Sequence, residues 1–204
     1  MKKGDAVGVE VAPCIVVYED IFDATIFLRT LIQECDEEEG FLNWTRDTVG
    51  DGEVTDKRTS MSCSIDNLRE AEEYSETLND NTKLLIDEWM QIFPKIDDVV
   101  WSYRSSYDLP LHGDQGYRVL RYRGGEEYQA HHDHGPGNNR VLSIVGFVND
   151  GYTGGELVFP TFDVTITPKA GSIVAFPSNF PYKHIAKPVG EDGPPKYSLV
   201  SWFE

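Results

Sequence analysis

The sequence predicts a mainly β fold of the α+β class, with helices first and a sandwich or jelly roll after them. Three observations predict it. Helical periodicity is confined to the first half of the chain. From Tyr117 onward, short β-branched and aromatic runs alternate with Gly, Pro and Asn-Asp-Gly turns. The 204 residues, 40% of them hydrophobic and 12% aromatic, fit one domain with a sizeable core. The expected organisation is a single domain over 1–204. Residues 1–116 form a support region of helices and strands, and 117–204 form the jelly roll.

Each element follows from its local text. Residues 12–19 are short and β-branched and read as a strand. Asp23 can cap a helix in which Phe27, Leu31 and Cys35 share a face, with Leu28 and Ile32 beside them. The acidic run Asp36–Glu39 and Gly40 close that helix. Residues 45–60 are polar and contain Gly50 and Gly52, which reads as a surface loop or as a lid over a site. A helical region over roughly 66–93 carries the core stripe Leu78, Leu85, Trp89 and Ile92, and Pro94 stops it. Residues 102–116 form a second polar connection and a second candidate lid, with His112 exposed in it. Strands are expected at 117–122, 141–148, 156–159, 164–167, 172–176, 182–186 and 197–203.

Composition excludes several function classes. The formal net charge is −17, and no basic patch of any size interrupts it. Such a chain repels phosphate backbones and anionic membranes, so no nucleic-acid or membrane partner is expected. A basic protein or peptide partner suits it better. No apolar run reaches the length of a membrane span, and the basic start Met1-Lys2-Lys3 leads into no apolar leader. Cys14, Cys35 and Cys63 are widely spaced and odd in number, which argues against a disulfide framework and for a reducing, cytoplasmic setting.

The chemistry concentrates in Tyr128-Gln-Ala-His131-His132-Asp133-His134. In an extended chain His131 and Asp133 share one face, and His132 and His134 share the other. An imidazole and a carboxylate at close range supply two thirds of a facial triad for non-haem Fe(II). His184, the last histidine, lies in a predicted strand far downstream, and a jelly roll brings such strands side by side. Two imidazoles and a carboxylate leave positions open for a chelating cosubstrate and dioxygen. His132 and His134 remain a rival pair, although the acid that such a site recruits is distant, at Asp150.

The surrounding text resembles the prolyl 4-hydroxylase group of Fe(II)/2-oxoglutarate-dependent dioxygenases. The matching pieces are the segment from Arg121 into His131-His132-Asp133, the Gly154-Gly155-Glu156-Leu157-Val158-Phe159-Pro160 turn, Pro168-Lys169-Ala170-Gly171, His184 with Pro188-Val189, and Lys196 with Trp202. The likeness covers about 117–204. It implies a double-stranded β-helix (jelly roll) core flanked by helices. It implies Fe(II) held by His131, Asp133 and His184, and 2-oxoglutarate held by Lys196, Tyr122 and Ser198. Tyr128, Arg140 and Trp202 resemble the residues that line the substrate pocket. The implied cosubstrates are 2-oxoglutarate and dioxygen, with ascorbate as a candidate reductant. The implied reaction is hydroxylation of proline in a protein or peptide. Two departures stand out: the His184–Lys196 interval is longer than the family spacing, and Phe147 replaces the tyrosine of the oxygen-sensing relatives. Alternative readings are a hydroxylase of a free amino acid or other small molecule, a nucleic-acid demethylase, which the charge opposes, and a non-catalytic jelly-roll module, which the full ligand set opposes.

Overall fold

The computed structural model describes residues 6–36, 42–47, 55–68 and 78–204. The strands are β1 (Val9–Ala12), β2 (Ile15–Tyr18), β3 (Thr45–Arg46), β4 (Met61–Ser64), β5 (Asp114–Tyr122), β6 (Tyr128–His131), β7 (Leu142–Phe147), β8 (Leu157–Phe159), β9 (Val164–Ile166), β10 (Ile173–Pro177), β11 (His184–Ala186) and β12 (Lys196–Phe203). The helices are α1 (Thr25–Asp36) and α2 (Asp80–Tyr107). Among the described residues the strands form two antiparallel sheets. The major sheet has eight strands in the order β1-β2-β10-β7-β12-β5-β4-β3, and the minor sheet has four in the order β6-β11-β8-β9. This is the mainly β jelly roll with flanking helices that the strand spacing predicts.

Alternation along the strands decides which face meets which layer. In β12, Tyr197, Leu199 and Phe203 join the large apolar cluster that also contains Leu85, Trp89, Ile96 and Val99 of α2. Lys196, Ser198, Val200 and Trp202 turn to the opposite face and line a cavity between the sheets. The helices therefore back the major sheet, and the minor sheet closes its front. Trp89 packs edge-on against Tyr117, and both are buried.

Three expectations change. The strand over 12–19 is split: β1 and β2 form a hairpin around Pro13-Cys14, with Cys14 in the left-handed region at φ 57°. Helix α2 runs through Pro94 and ends at Asp108, so 102–107 is helix and not a loop. A proline inside a helix costs on the order of 3 kcal/mol. Ile96, Val99, Val100 and Tyr103 continue the buried stripe beyond it and offset that cost. Helix α2 itself begins at Asp80, where Asn79 caps it by accepting from Thr82 N at 2.7 Å; residues 69–77 of the predicted helical region lie outside the described residues. At the front of the predicted region Asp66–Leu68 is a 3-10 turn. What remains of the 102–116 connection is anchored, with His112 N donating to Glu204 O. Asp23 does cap α1, accepting from Thr25 N at 2.9 Å. Residues 37–41, which hold most of the predicted acidic closure of α1, and 48–54, the centre of the first candidate lid, lie outside the described residues. Cys35 and Cys63, distant in sequence, meet as free thiols with sulfurs 3.5 Å apart.

Candidate metal centre and cosubstrate pocket

The pairing of β6 with β11 sets His184 directly opposite His131. Asp133 comes from just beyond β6, where the backbone N–H groups of Asp133 and His134 both donate to Ser178 O. Strand alternation therefore does not place Asp133, as the sequence reading expects; a turn tied to Ser178 does. One donor atom from each of His131, Asp133 and His184 lies within 4.8 Å of the others, a cluster that can hold a metal ion.

The imidazoles are preset for ligation. His131 Nδ1 lies 2.8 Å from Gln129 O, and His184 Nδ1 lies 3.1 Å from Tyr182 O. A carbonyl only accepts, so each Nδ1 carries the proton and each Nε2 keeps its lone pair. Those Nε2 atoms face Asp133, at 3.6 Å from Oδ1 and 3.8 Å from Oδ2. Burial, reinforced by neighbouring His184, drives the His131 pKa down to about 3, so the ring is neutral and free to ligate. Burial pushes Asp133 up, but His184, His131 and hydrogen bonds from Ser143 and Trp202 outweigh it, and its carboxyl sits below the usual range. Ser143 Oγ donates to Asp133 Oδ2 at 2.7 Å and also meets Ser178 Oγ at 2.8 Å. Sequence reasoning missed Ser143, because nothing local marks a serine that meets its carboxylate only across the fold. His132 and His134 stay outside the cluster, with Nδ1 atoms on the carbonyls of His134 and Arg140. His112 is exposed.

The cavity that holds this cluster extends to Lys196, Tyr122 and Ser198. Lys196 stands opposite Tyr122 in the β5–β12 register, with Nζ 5.2 Å from that ring's centre and 5.6 Å from the Phe147 ring. It is 2% exposed and donates to Gly155 O at 2.7 Å. Gly154 and Gly155 both have φ +69°, and a Cβ on Gly154 would strike Pro188 O, so this turn needs glycine to bring its carbonyl over the lysine. No carboxylate lies within 4.0 Å of Lys196 among the described residues, and burial lowers its pKa to about 8 against the opposing pull of Glu156. Ser198 Oγ is buried with no hydrogen-bond partner. An uncompensated cation beside an orphan hydroxyl fits a carboxylate, and a keto acid that reaches from there to the metal would meet both needs. Burial raises the Tyr122 hydroxyl to about 12, so it is a neutral hydrogen-bonding group, bonded to the Ser60 side chain. The long His184–Lys196 interval is absorbed where the chain crosses from the minor to the major sheet.

Tyr128, Arg140 and Trp202 line the same cavity and are half-buried. The Arg140 guanidinium lies 3.9 Å over the Trp202 ring, and its Nε donates to Gln115 Oε1 at 2.8 Å. Arg58 also lines the cavity and was not foreseen. It comes from the first candidate lid, whose described ends are pinned by an Asp47–Arg58 ion pair at 3.1 Å and a Ser60–Asp47 hydrogen bond at 2.6 Å.

The jelly roll thus brings a His-Asp-His cluster that can hold a metal ion and a buried cation into one cavity. Residues 117–204 match the family model described as the 2OG-Fe(II) oxygenase superfamily. Solved structures share the fold. A prolyl hydroxylase from Trichoplax adhaerens, in complex with a hypoxia inducible factor peptide fragment, superposes with a TM-score of 0.71 at 15% identity, covering 93% of this chain and 83% of its own. A prolyl-4-hydroxylase from Pseudomonas putida gives 0.62 at 21% identity, with 94% and 92% covered. A viral collagen prolyl hydroxylase from Paramecium Bursaria Chlorella virus-1, in its 2OG complex, gives 0.59 at 15% identity, with 93% and 95% covered. No curated protein matches the chain. Among the described residues no helix is long and apolar enough to cross a membrane.

Proposed function

We propose that this protein hydroxylates proline in a protein or peptide substrate, with His131, Asp133 and His184 binding Fe(II), and Lys196, Tyr122 and Ser198 binding 2-oxoglutarate. The observation that carries the reading is Lys196, a buried cation without a carboxylate partner among the described residues, in the cavity that holds the His-Asp-His cluster. The bound iron and keto acid supply the oxidising chemistry, in which 2-oxoglutarate and dioxygen become succinate and carbon dioxide as a substrate carbon is hydroxylated. The chain's residues position and exclude. The protons on both Nδ1 atoms keep the two Nε2 lone pairs aimed inward. Ser143 holds Asp133 so that one carboxylate oxygen stays available. Lys196 neutralises the far carboxylate of the cosubstrate, and Ser198 donates to it. Leu120, Ile144, Val145, Leu157 and Val200 form apolar walls that limit water around the reacting carbon. Tyr128, Arg140 and Trp202 sit at the rim, where a peptide would lie. The prolyl hydroxylase neighbours support the peptide reading, one of them holding a peptide. Residues 1–204 act as one catalytic unit in this proposal. A cytoplasmic setting agrees with the free thiols, with ascorbate serving as a reductant.

Two measurements test this. Anaerobic addition of Fe(II) and 2-oxoglutarate should give the weak visible charge-transfer band of the chelate, and His131→Ala should abolish it. Proline-containing peptides should then raise succinate production and gain one oxygen on proline. No band from the wild type would sink the metal and cosubstrate assignments, and turnover on free amino acids alone would sink the peptide assignment.

A further inference from the structure

The two metal-binding histidines are supported unequally. His184 is 5% exposed and boxed by Phe176 and Phe159, with ring centres at 4.8 and 5.8 Å. His131 is less enclosed, its side chain 16% exposed against 6% for that of His184. Its outer face is covered by the Tyr128 ring, 3.5 Å away between centres and 14° from parallel. The Arg58 guanidinium lies over that same phenol, with Cζ 4.8 Å from its centre. Arg58, Tyr128 and His131 thus form a stack that ends on a metal ligand.

Arg58 is fixed from both sides. Its own segment is laid along the outer edge of β6: Gln129 N donates to Lys57 O at 2.8 Å, Thr59 N to Glu127 O at 3.1 Å, and Glu127 N to Thr59 Oγ1 at 2.8 Å. Asp47, 2% exposed, holds the guanidinium by the ion pair and holds Ser60 by hydrogen bonds. A buried cation with a paired acid is held in place, and a cation over an aromatic face is attractive. A stacked phenol limits rotation of the imidazole about its last torsion, which the single bond to Gln129 O does not fix alone. The geometry points to Arg58 as a positioning residue for the metal centre, which clamps Tyr128 flat against His131 and so sets the plane in which His131 meets the ion. This rests on the reading of His131 as a metal ligand, and it assigns the 57–60 strap a role in preparing the site before any substrate arrives.

The test uses Co(II) alone, without 2-oxoglutarate or substrate, and reads both its affinity and its visible d–d absorption, which reports coordination geometry. Arg58→Met is made together with Asp47→Asn so that no unpaired acid is left buried. Co(II) affinity should fall about tenfold, the scale of lost outer-shell support, and the d–d spectrum should change shape. Tyr128→Leu, at a half-buried position with no charge, should give the same loss, and adding it to the Arg58→Met/Asp47→Asn pair should cost little more, because Arg58 acts through Tyr128. A wild-type spectrum and affinity in the Arg58 variant, or in Tyr128→Leu should the Arg58 variant not fold, would overturn the proposal. Full additivity of the two losses would overturn it as well. Wild-type protein that binds no Co(II) would fail the metal assignment itself, a separate result.

Discussion

Lys196→Met should weaken the cosubstrate and stabilise the empty protein at the same time. The side chain is 2% exposed, and burial brings its pKa from the ordinary 10.5 down to about 8. Below pH 8 the lysine is charged in both folded and unfolded chains, so the folded state carries the whole penalty, on the order of 3 kcal/mol. The penalty fades as pH rises from 8 towards the unfolded value, because the folded chain releases its proton first. Methionine fills similar volume without charge. It forfeits the bond to Gly155 O, which costs about 1–2 kcal/mol. A net gain of about 1–2 kcal/mol at pH 7 should remain, which is a few degrees in melting temperature for a chain of this size. For 2-oxoglutarate the sign reverses. A carboxylate left buried without its cation costs on the order of 3–5 kcal/mol, or roughly a hundred- to several-thousand-fold in affinity. Anaerobic titration of the Fe(II)–2-oxoglutarate band gives the affinity, and calorimetry of the metal-free protein gives the stability. Unchanged cosubstrate affinity would show that the anchor lies elsewhere, and a lower melting temperature would refute the claim that the lysine is held against its solvation preference.

Other consequences follow from the same geometry. In the wild type, 2-oxoglutarate affinity should fall as pH rises through about 8, as Lys196 loses its proton, and a titration from pH 7 to pH 9 that shows no loss would contradict this. Ser143→Ala should lower metal affinity about tenfold by releasing Asp133 Oδ2, as read by Co(II) titration, with little change in the cosubstrate pocket. Pro94→Ala should stabilise the chain by about 1–3 kcal/mol by restoring a good helix former inside α2, as read by chemical denaturation.

The parts of the molecule that the sequence shows are those written in adjacent residues. The short strands after Tyr117, the His131–Asp133 spacing and the Gly154-Gly155 turn all depend on local periodicity or local turn chemistry. His184 and Lys196 become legible only in a jelly roll, since it is the β6–β11 and β5–β12 pairings that carry them to the cavity. Pro94 misled for a physical reason: its local penalty is real, but the burial of Ile96, Val99 and Tyr103 outweighs it, and that is a tertiary effect. Asp133 reached its expected neighbours by an unexpected route, through a turn held by Ser178. Ser143 and Arg58 carry no local signal: Ser143 meets Asp133 only because the chain turns back between β6 and β7, and Arg58 meets Tyr128 only across the fold.

Strand β12 works as a ruler. Its inward side chains run from Lys196 through Ser198 and Val200 to Trp202, so the proposed cosubstrate anchor and the proposed substrate-lining tryptophan sit on one rod about 20 Å long, graduated by the pleat. The spacing between the two ends is fixed by backbone geometry and does not stretch. One inserted residue within the strand would turn the lysine out of the cavity and bring Tyr197 in. The crossover over 190–195 is free of that constraint. A change in chain length placed in this crossover would alter the path of the chain and leave the graduations of the rod unchanged.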